Sequence, residues 1–138
     1  MRMNTEISFE FFPPQTTEGL DKLRTTRARL AELGPTFFSV TYGAGGSTRD
    51  RTFDIIMEIA AEGLTPAPHL SCIGSTREGI RQILHDYRDH GIRRLVALRG
   101  DLPSGMADAG EFRHANELVE FIRKETGGSF HIEVAAYP

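Results

Sequence analysis

Apolar and polar residues alternate in short runs along this chain, and between those runs the apolar positions recur at helical spacing. In Ile7-Ser8-Phe9-Glu10-Phe11, alternation puts Ile7, Phe9 and Phe11 on one side of an extended backbone and Ser8 and Glu10 on the other. The same period sets Phe38, Val40 and Tyr42 against Ser39 and Thr41, and Leu70 and Cys72 against His69 and Ser71. These runs predict strands over Glu6 to Phe12, Phe37 to Tyr42 and Ala67 to Cys72, with a fourth over Arg94 to Arg99 and a fifth over Ile132 to Tyr137. The intervening segments carry Leu20, Leu23, Leu30 and Leu33, then Phe53, Ile56, Ile59 and Ala60. Further on come Ile80, Ile83, Leu84 and Tyr87, and a group around Leu118, Phe121 and Ile122. Each set is spaced to bury one stripe of a helix. Start signals precede them at Thr17, at Ser47 and in the capping box Ser75-Thr-Arg-Glu78. Gly34-Pro35, Gly63, Gly91 and Gly127-Gly128 provide the stops.

Strand, helix, glycine, strand thus recurs four times at steps of roughly thirty residues, the size of a βαβ unit with its right-handed crossover. The sheet is expected to be parallel. A flavodoxin-like open sheet fits the length, but its strands are covered on both faces and read as continuous apolar runs. Polar residues at alternate strand positions point instead to the wall of an α/β TIM barrel, (β/α)8, apolar under its helices and partly polar inside. Five strands and four helices fall short of a closed barrel. Residues 1–138 are therefore expected to be the N-terminal portion of a single barrel catalytic domain, or one of two copies that complete each other, since open edges and half a lumen would otherwise be exposed.

Composition narrows the function classes. A net charge of −3 over 138 residues offers no basic field to hold a phosphate backbone, so nucleic acid is not an expected partner. No apolar run approaches the ~20 residues of a membrane span, and Met-Arg-Met-Asn-Thr-Glu lacks the apolar core of a signal peptide, so the expected location is the cytoplasm. Cys72 is the single cysteine, which rules out an internal disulfide.

The candidate chemistry collects at predicted strand ends. Glu10, between Phe9 and Phe11, must be paired or kept protonated if its setting is desolvated, and a protonated carboxyl is what a general acid requires. Its bland alternative is a solvated edge residue or an arginine's structural partner. Leu95-Val-Ala-Leu-Arg-Gly-Asp-Leu-Pro103 ends a buried run on Arg99, Gly100 and Asp101, a cation, a flexible backbone and a carboxylate. That trio is a loop ion pair, a receptor-binding tripeptide if extracellular, or a carboxylate poised beside a cofactor or cationic intermediate. Gly43-Ala-Gly-Gly46 before a helix is a phosphate cradle or a plain loop; it lacks the lysine of a P-loop. His69 and Cys72 are too few for a metal site, and His85, His90, His114 and His131 lack ligand spacing and are expected to be solvated.

Five segments in register, Phe9-Glu-Phe-Phe-Pro-Pro14, Val40-Thr-Tyr-Gly-Ala-Gly-Gly-Ser-Thr-Arg-Asp-Arg-Thr52, Ala67-Pro-His-Leu-Ser-Cys72, Ala97-Leu-Arg-Gly-Asp-Leu-Pro103 and Val134-Ala-Ala-Tyr-Pro138, resemble the bacterial methylenetetrahydrofolate reductase family. The resemblance implies a (β/α)8 barrel that binds FAD, takes a hydride from NADH or NADPH, and reduces methylenetetrahydrofolate to methyltetrahydrofolate in one-carbon and methionine metabolism. It implies that Glu10 is the general acid and Asp101 the carboxylate that steadies the folate iminium. Thr41, Tyr42, Ala44, His69, Arg99, Gly100, Asp101, Ala115 and Tyr137 match flavin-contacting positions. It also implies a homo-oligomeric intact parent, with folate and a nicotinamide dinucleotide as its small-molecule partners and no membrane.

His114 departs from the family, standing where many relatives have tyrosine. The segments carrying the family's later flavin, folate and nicotinamide contacts have no counterpart, so the activity is expected of the parent and little or none of these residues alone. Two alternatives remain: another FAD barrel, such as a proline dehydrogenase-like protein, and a non-catalytic half barrel that self-associates.

Overall fold

A computed structural model describes residues 4–43, 49–100 and 110–136. Four βα units and a closing strand follow one another: β1 (Ser8–Phe11), α1 (Thr17–Ala31), β2 (Phe37–Val40), α2 (Arg49–Ala61), β3 (Pro66–Ser71), α3 (Arg77–Asp89), β4 (Arg94–Leu98), α4 (Ala115–Thr126) and β5 (His131–Val134). The elements fall where periodicity put them, with trimmed ends. Glu6 precedes β1 and Thr41 follows β2, while β5 begins one residue early and stops at Val134.

All strand pairs are parallel and the order is β1-β2-β3-β4-β5. A doubly wound sheet reverses direction at a switch point. No reversal occurs here, so the flavodoxin-like alternative falls. Right-handed crossovers between successive neighbours place every helix on the same face. That face is the core: Phe11, Phe38, Val40, Leu70, Cys72, Leu95 and Ala97 meet Ile56, Ile59, Ile80, Leu84, Leu118 and Ile122. Phe38 stacks between Phe9 and Phe11, at centroid distances of 6.0 and 5.4 Å.

Arginine forks tie neighbouring helices over this core. Arg27 on α1 reaches Glu62 and Glu58 on α2 with hydrogen bonds of 2.6–3.0 Å. Arg81 on α3 grips Glu125 on α4 at 2.9 and 3.1 Å and lies over the Phe121 ring. Helical spacing puts Arg27 on the stripe of Leu20, Leu23 and Leu30, and its side chain is 1% exposed, with no partner for Nη1 among the described residues.

Two caps differ from expectation by one residue. Thr16, not Thr17, is the extended residue whose hydroxyl accepts from the Gly19 amide at 3.0 Å. Thr76, not Ser75, does the same for Gly79. Ser75 instead forms an isolated bridge with Gly110. Leu33 lies beyond the end of α1 and is exposed, so it leaves the apolar stripe predicted for that helix. Gly34, Gly63, Gly91 and Gly127 all take positive φ at helix ends, as the stop signals required.

Candidate functional site

Alternation leaves the second face of the sheet to Ser8, Glu10, Ser39, His69, Val96 and Glu133, which line one open concavity of about 520 Å³ touching all five strands. The pattern that buried Phe9 and Phe11 therefore turned Glu10 into this space. His69 is buried there, at 8% side-chain exposure, and its Nε2 lies 3.1 Å from Glu10 Oε1. Glu10 itself is 52% exposed. Of the alternatives open for Glu10, a partner is present, but the burial falls on the other side: the imidazole is buried and the carboxyl looks into open space. Burial pulls the His69 pKa down, and the charge of Glu10 opposes that in part.

The carboxyl ends of the strands form a rim above the pair. Thr41, just past β2, donates its amide to Phe11 O at 2.9 Å and accepts from Thr52 Oγ1 of α2 at 2.8 Å. Past β4, Arg99 O receives the Ile73 amide at 2.9 Å. Cys72 Sγ lies 3.8 Å from both Arg99 O and His114 O, which joins the end of β4 to the start of α4. Ala115, the first residue of α4, is thereby carried to the same rim. Gly100 has φ +79°, and a Cβ there would meet Ser71 Cβ at 2.9 Å and Oγ at 3.0 Å, so only glycine lets this backbone lie so close to β3.

The amino-terminal end of the concavity is filled differently. Arg94 Nη1 is 2.6 Å from Glu133 Oε1, its guanidinium lies 4.8 Å over the Phe37 ring, and His131 Nε2 is 2.9 Å from the same Glu133 oxygen. Sequence reading missed this cluster and treated His131 as solvated; it remains exposed, with its ring nitrogen against Glu133. The available signal was a charged residue at an inward strand position in both β4 and β5.

A model of the family described as methylenetetrahydrofolate reductase matches residues 2–138. The chain belongs to the methylenetetrahydrofolate reductase family. Among its relatives, the 5,10-methylenetetrahydrofolate reductase of Pectobacterium carotovorum subsp. carotovorum is 48% identical over 135 residues, covering 96% of this chain and 43% of the relative. That of Escherichia coli strain K12 is 47% identical over 133 residues, covering 96% and 44%. A plant relative, methylenetetrahydrofolate reductase (NADH) 1 of Arabidopsis thaliana, is 42% identical over 142 residues, covering 97% and 24%. The chain thus spans less than half the length of these curated relatives.

Of the positions marked by resemblance to the reductase family, Glu10 and His69 touch, and Thr41, Arg99, Gly100 and Ala115 stand at the carboxyl-end rim. Tyr42 departs from that group. It continues the helix-side face of Phe38 and Val40, and burial raises its pKa while Arg49 of α2 opposes. Ala44, Asp101 and Tyr137 lie outside the described residues, as do the rest of the glycine segment after Gly43 and the Ser47 cap. Among the described residues, no three His, Cys, Asp or Glu side chains gather as a metal ion requires, and no helix is long and apolar enough to cross a membrane.

Proposed function

We propose that this chain supplies the first five strands of a flavin-dependent (β/α)8 barrel that reduces methylenetetrahydrofolate to methyltetrahydrofolate with NADH or NADPH, in the cytoplasm, and that residues 1–138 alone turn over little or nothing. The observation that carries the reading is the Glu10–His69 pair, set in the polar concavity of a helix-covered parallel sheet within a reductase-family chain.

The rim residues fit an FAD. Thr41 and His69 offer hydrogen-bonding groups, exposed Arg99 offers a cation for a diphosphate, and Gly100 keeps the rim backbone free of a side chain. Bound there, the flavin supplies hydride transfer from the nicotinamide to the folate. The protein's part is acid catalysis and charge placement. Glu10 gives a proton to a nitrogen of the folate's bridging ring as that ring opens, and Asp101 holds negative charge near the iminium that results.

A second reading is a non-catalytic half barrel that pairs with another copy. It is favoured by the edges of β1 and β5, each paired on one side only among the described residues.

Two measurements test the proposal. The chain is mixed with FAD, freed of excess cofactor, and its visible spectrum recorded; a retained, perturbed flavin band means that five strands already form a cofactor site. In the complete parent, Glu10→Gln is expected to abolish folate reduction while leaving NAD(P)H oxidation by another electron acceptor largely intact. Survival of folate reduction in that variant removes the acid role. Failure of any folate to reoxidise the reduced wild-type flavin removes the reductase reading.

A further inference from the structure

Glu10 and His69 sit on strands that are not neighbours. β2 runs between them, with Glu10 in register with Ser39 and Ser39 with Ala67, so His69 lies one inward step further along β3. The contact closes because the residue it crosses is a small serine and a glutamate side chain is long enough to pass over it. At 3.1 Å the two atoms are within hydrogen-bonding distance.

Hydrogen-bond chemistry then fixes the proton. While Glu10 is ionised its carboxylate can only accept, so the nitrogen facing it then carries a hydrogen, and a neutral imidazole has only one to place. Burial favours that neutral form of His69. Among the described residues, the other charged groups on this face are engaged or stand apart. β2 contributes Phe37 and Ser39, neither of which titrates in this range; Arg94 of β4 is bound to Glu133 of β5, which also holds His131. Arg99 stands exposed at the rim beyond β4. The helices pack on the opposite face.

We propose that His69 is the positioning residue for Glu10: its neutral imidazole donates Nε2–H to Oε1, fixes the carboxyl over the middle of the concavity, and leaves Oε2 as the oxygen that hands a proton to substrate. The inference rests on the reductase reading and adds direction to it. In the transfer, the Oε2–H bond breaks, an N–H bond forms on the folate nitrogen, and the electron pair stays on Oε2. His69 keeps its proton throughout and stabilises the carboxylate through Oε1.

The test needs neither flavin nor folate. With ¹⁵N-labelled histidine in this chain, imidazole resonances are followed by NMR across the histidine titration range in wild type, Glu10→Gln and Glu10→Ala. The expected wild-type result is an Nε2–H tautomer with a proton protected from solvent exchange. Both variants are expected to titrate at lower pH than wild type, because the carboxylate charge is gone, and Glu10→Ala is expected to lose the protection as well. An Nδ1–H tautomer in wild type, or a midpoint unmoved in the variants, overturns the proposal. The wild-type tautomer decides even where a variant fails to fold. If Glu10→Gln in the complete parent still reduces folate while the Nε2–H pairing is present, the acid role of Glu10 falls and the pairing stands. The opposite pattern removes the pairing alone.

Discussion

His69 Nε2 meets Glu10 Oε1 at 3.1 Å, with the imidazole buried and the carboxyl half open to solvent. This asymmetry makes folding sensitive to pH. Burial lowers the pKa of His69 in the folded chain below the ~6.5 of an unfolded one. Above that value both states are neutral and the group contributes nothing. As pH falls through ~6.5, the unfolded chain binds a proton that the folded chain does not, so stability declines until the folded pKa is reached. Between about pH 7 and pH 5, the wild-type urea midpoint should therefore fall by more than that of His69→Gln. Glu58 and Glu125, held low by their arginines, lose their contribution only further down, below the usual carboxylate range. Equal declines in the two proteins would show that His69 is not the group responsible.

Arg27 should punish loss of its partners more than its own replacement. Burial lowers its pKa, yet Glu62 and Glu58 outweigh that and hold it charged between α1 and α2. Removing both carboxylates strands a buried cation and should cost about 3 kcal/mol, whereas Arg27→Met, which removes the charge and keeps much of the volume, should cost about 1 kcal/mol or less. Chemical denaturation of Glu58→Ala/Glu62→Ala beside Arg27→Met measures the difference. The idea fails if the methionine variant is the weaker of the two.

Gly100→Ala should be destabilising by roughly 2–3 kcal/mol, combining a left-handed backbone with a Cβ pressed on Ser71 and Ile73. Adding Ser71→Gly should recover the part of the clash that Ser71 makes and leave the Ile73 contact and the conformational part. Complete recovery in the double variant would mean that backbone strain at position 100 contributes nothing.

Sequence alone revealed the inward face because strand alternation has no freedom: once Phe9, Phe38 and Leu70 go to the core, Glu10, Ser39 and His69 must go the other way. It did not reveal which of those inward residues touch, since that depends on register between strands. Register made Glu10–His69 reach across β2 and paired Arg94 with Glu133, whose separation of 39 residues no local pattern encodes. The caps failed for a smaller reason. Thr16-Thr17 and Ser75-Thr76 each present two adjacent hydroxyls with the same chemistry, and only the extended φ and ψ at Thr16 and Thr76 choose between them. Spacing put Arg27 on the apolar stripe of α1, but which carboxylates of α2 meet it depends on how the two helices pack.

The unbroken strand order has a bearing on how the chain is made. Each strand hydrogen-bonds to the strand that precedes it in sequence, roughly thirty residues earlier. As the chain leaves the ribosome, each of β2 to β5 therefore finds the strand it pairs with already synthesised. Assembly can advance one hairpin-sized step at a time from β1, with the newest strand always the growing edge. Slow steps or pauses during translation would then be tolerated at the glycine ends of the helices and harmful within a strand.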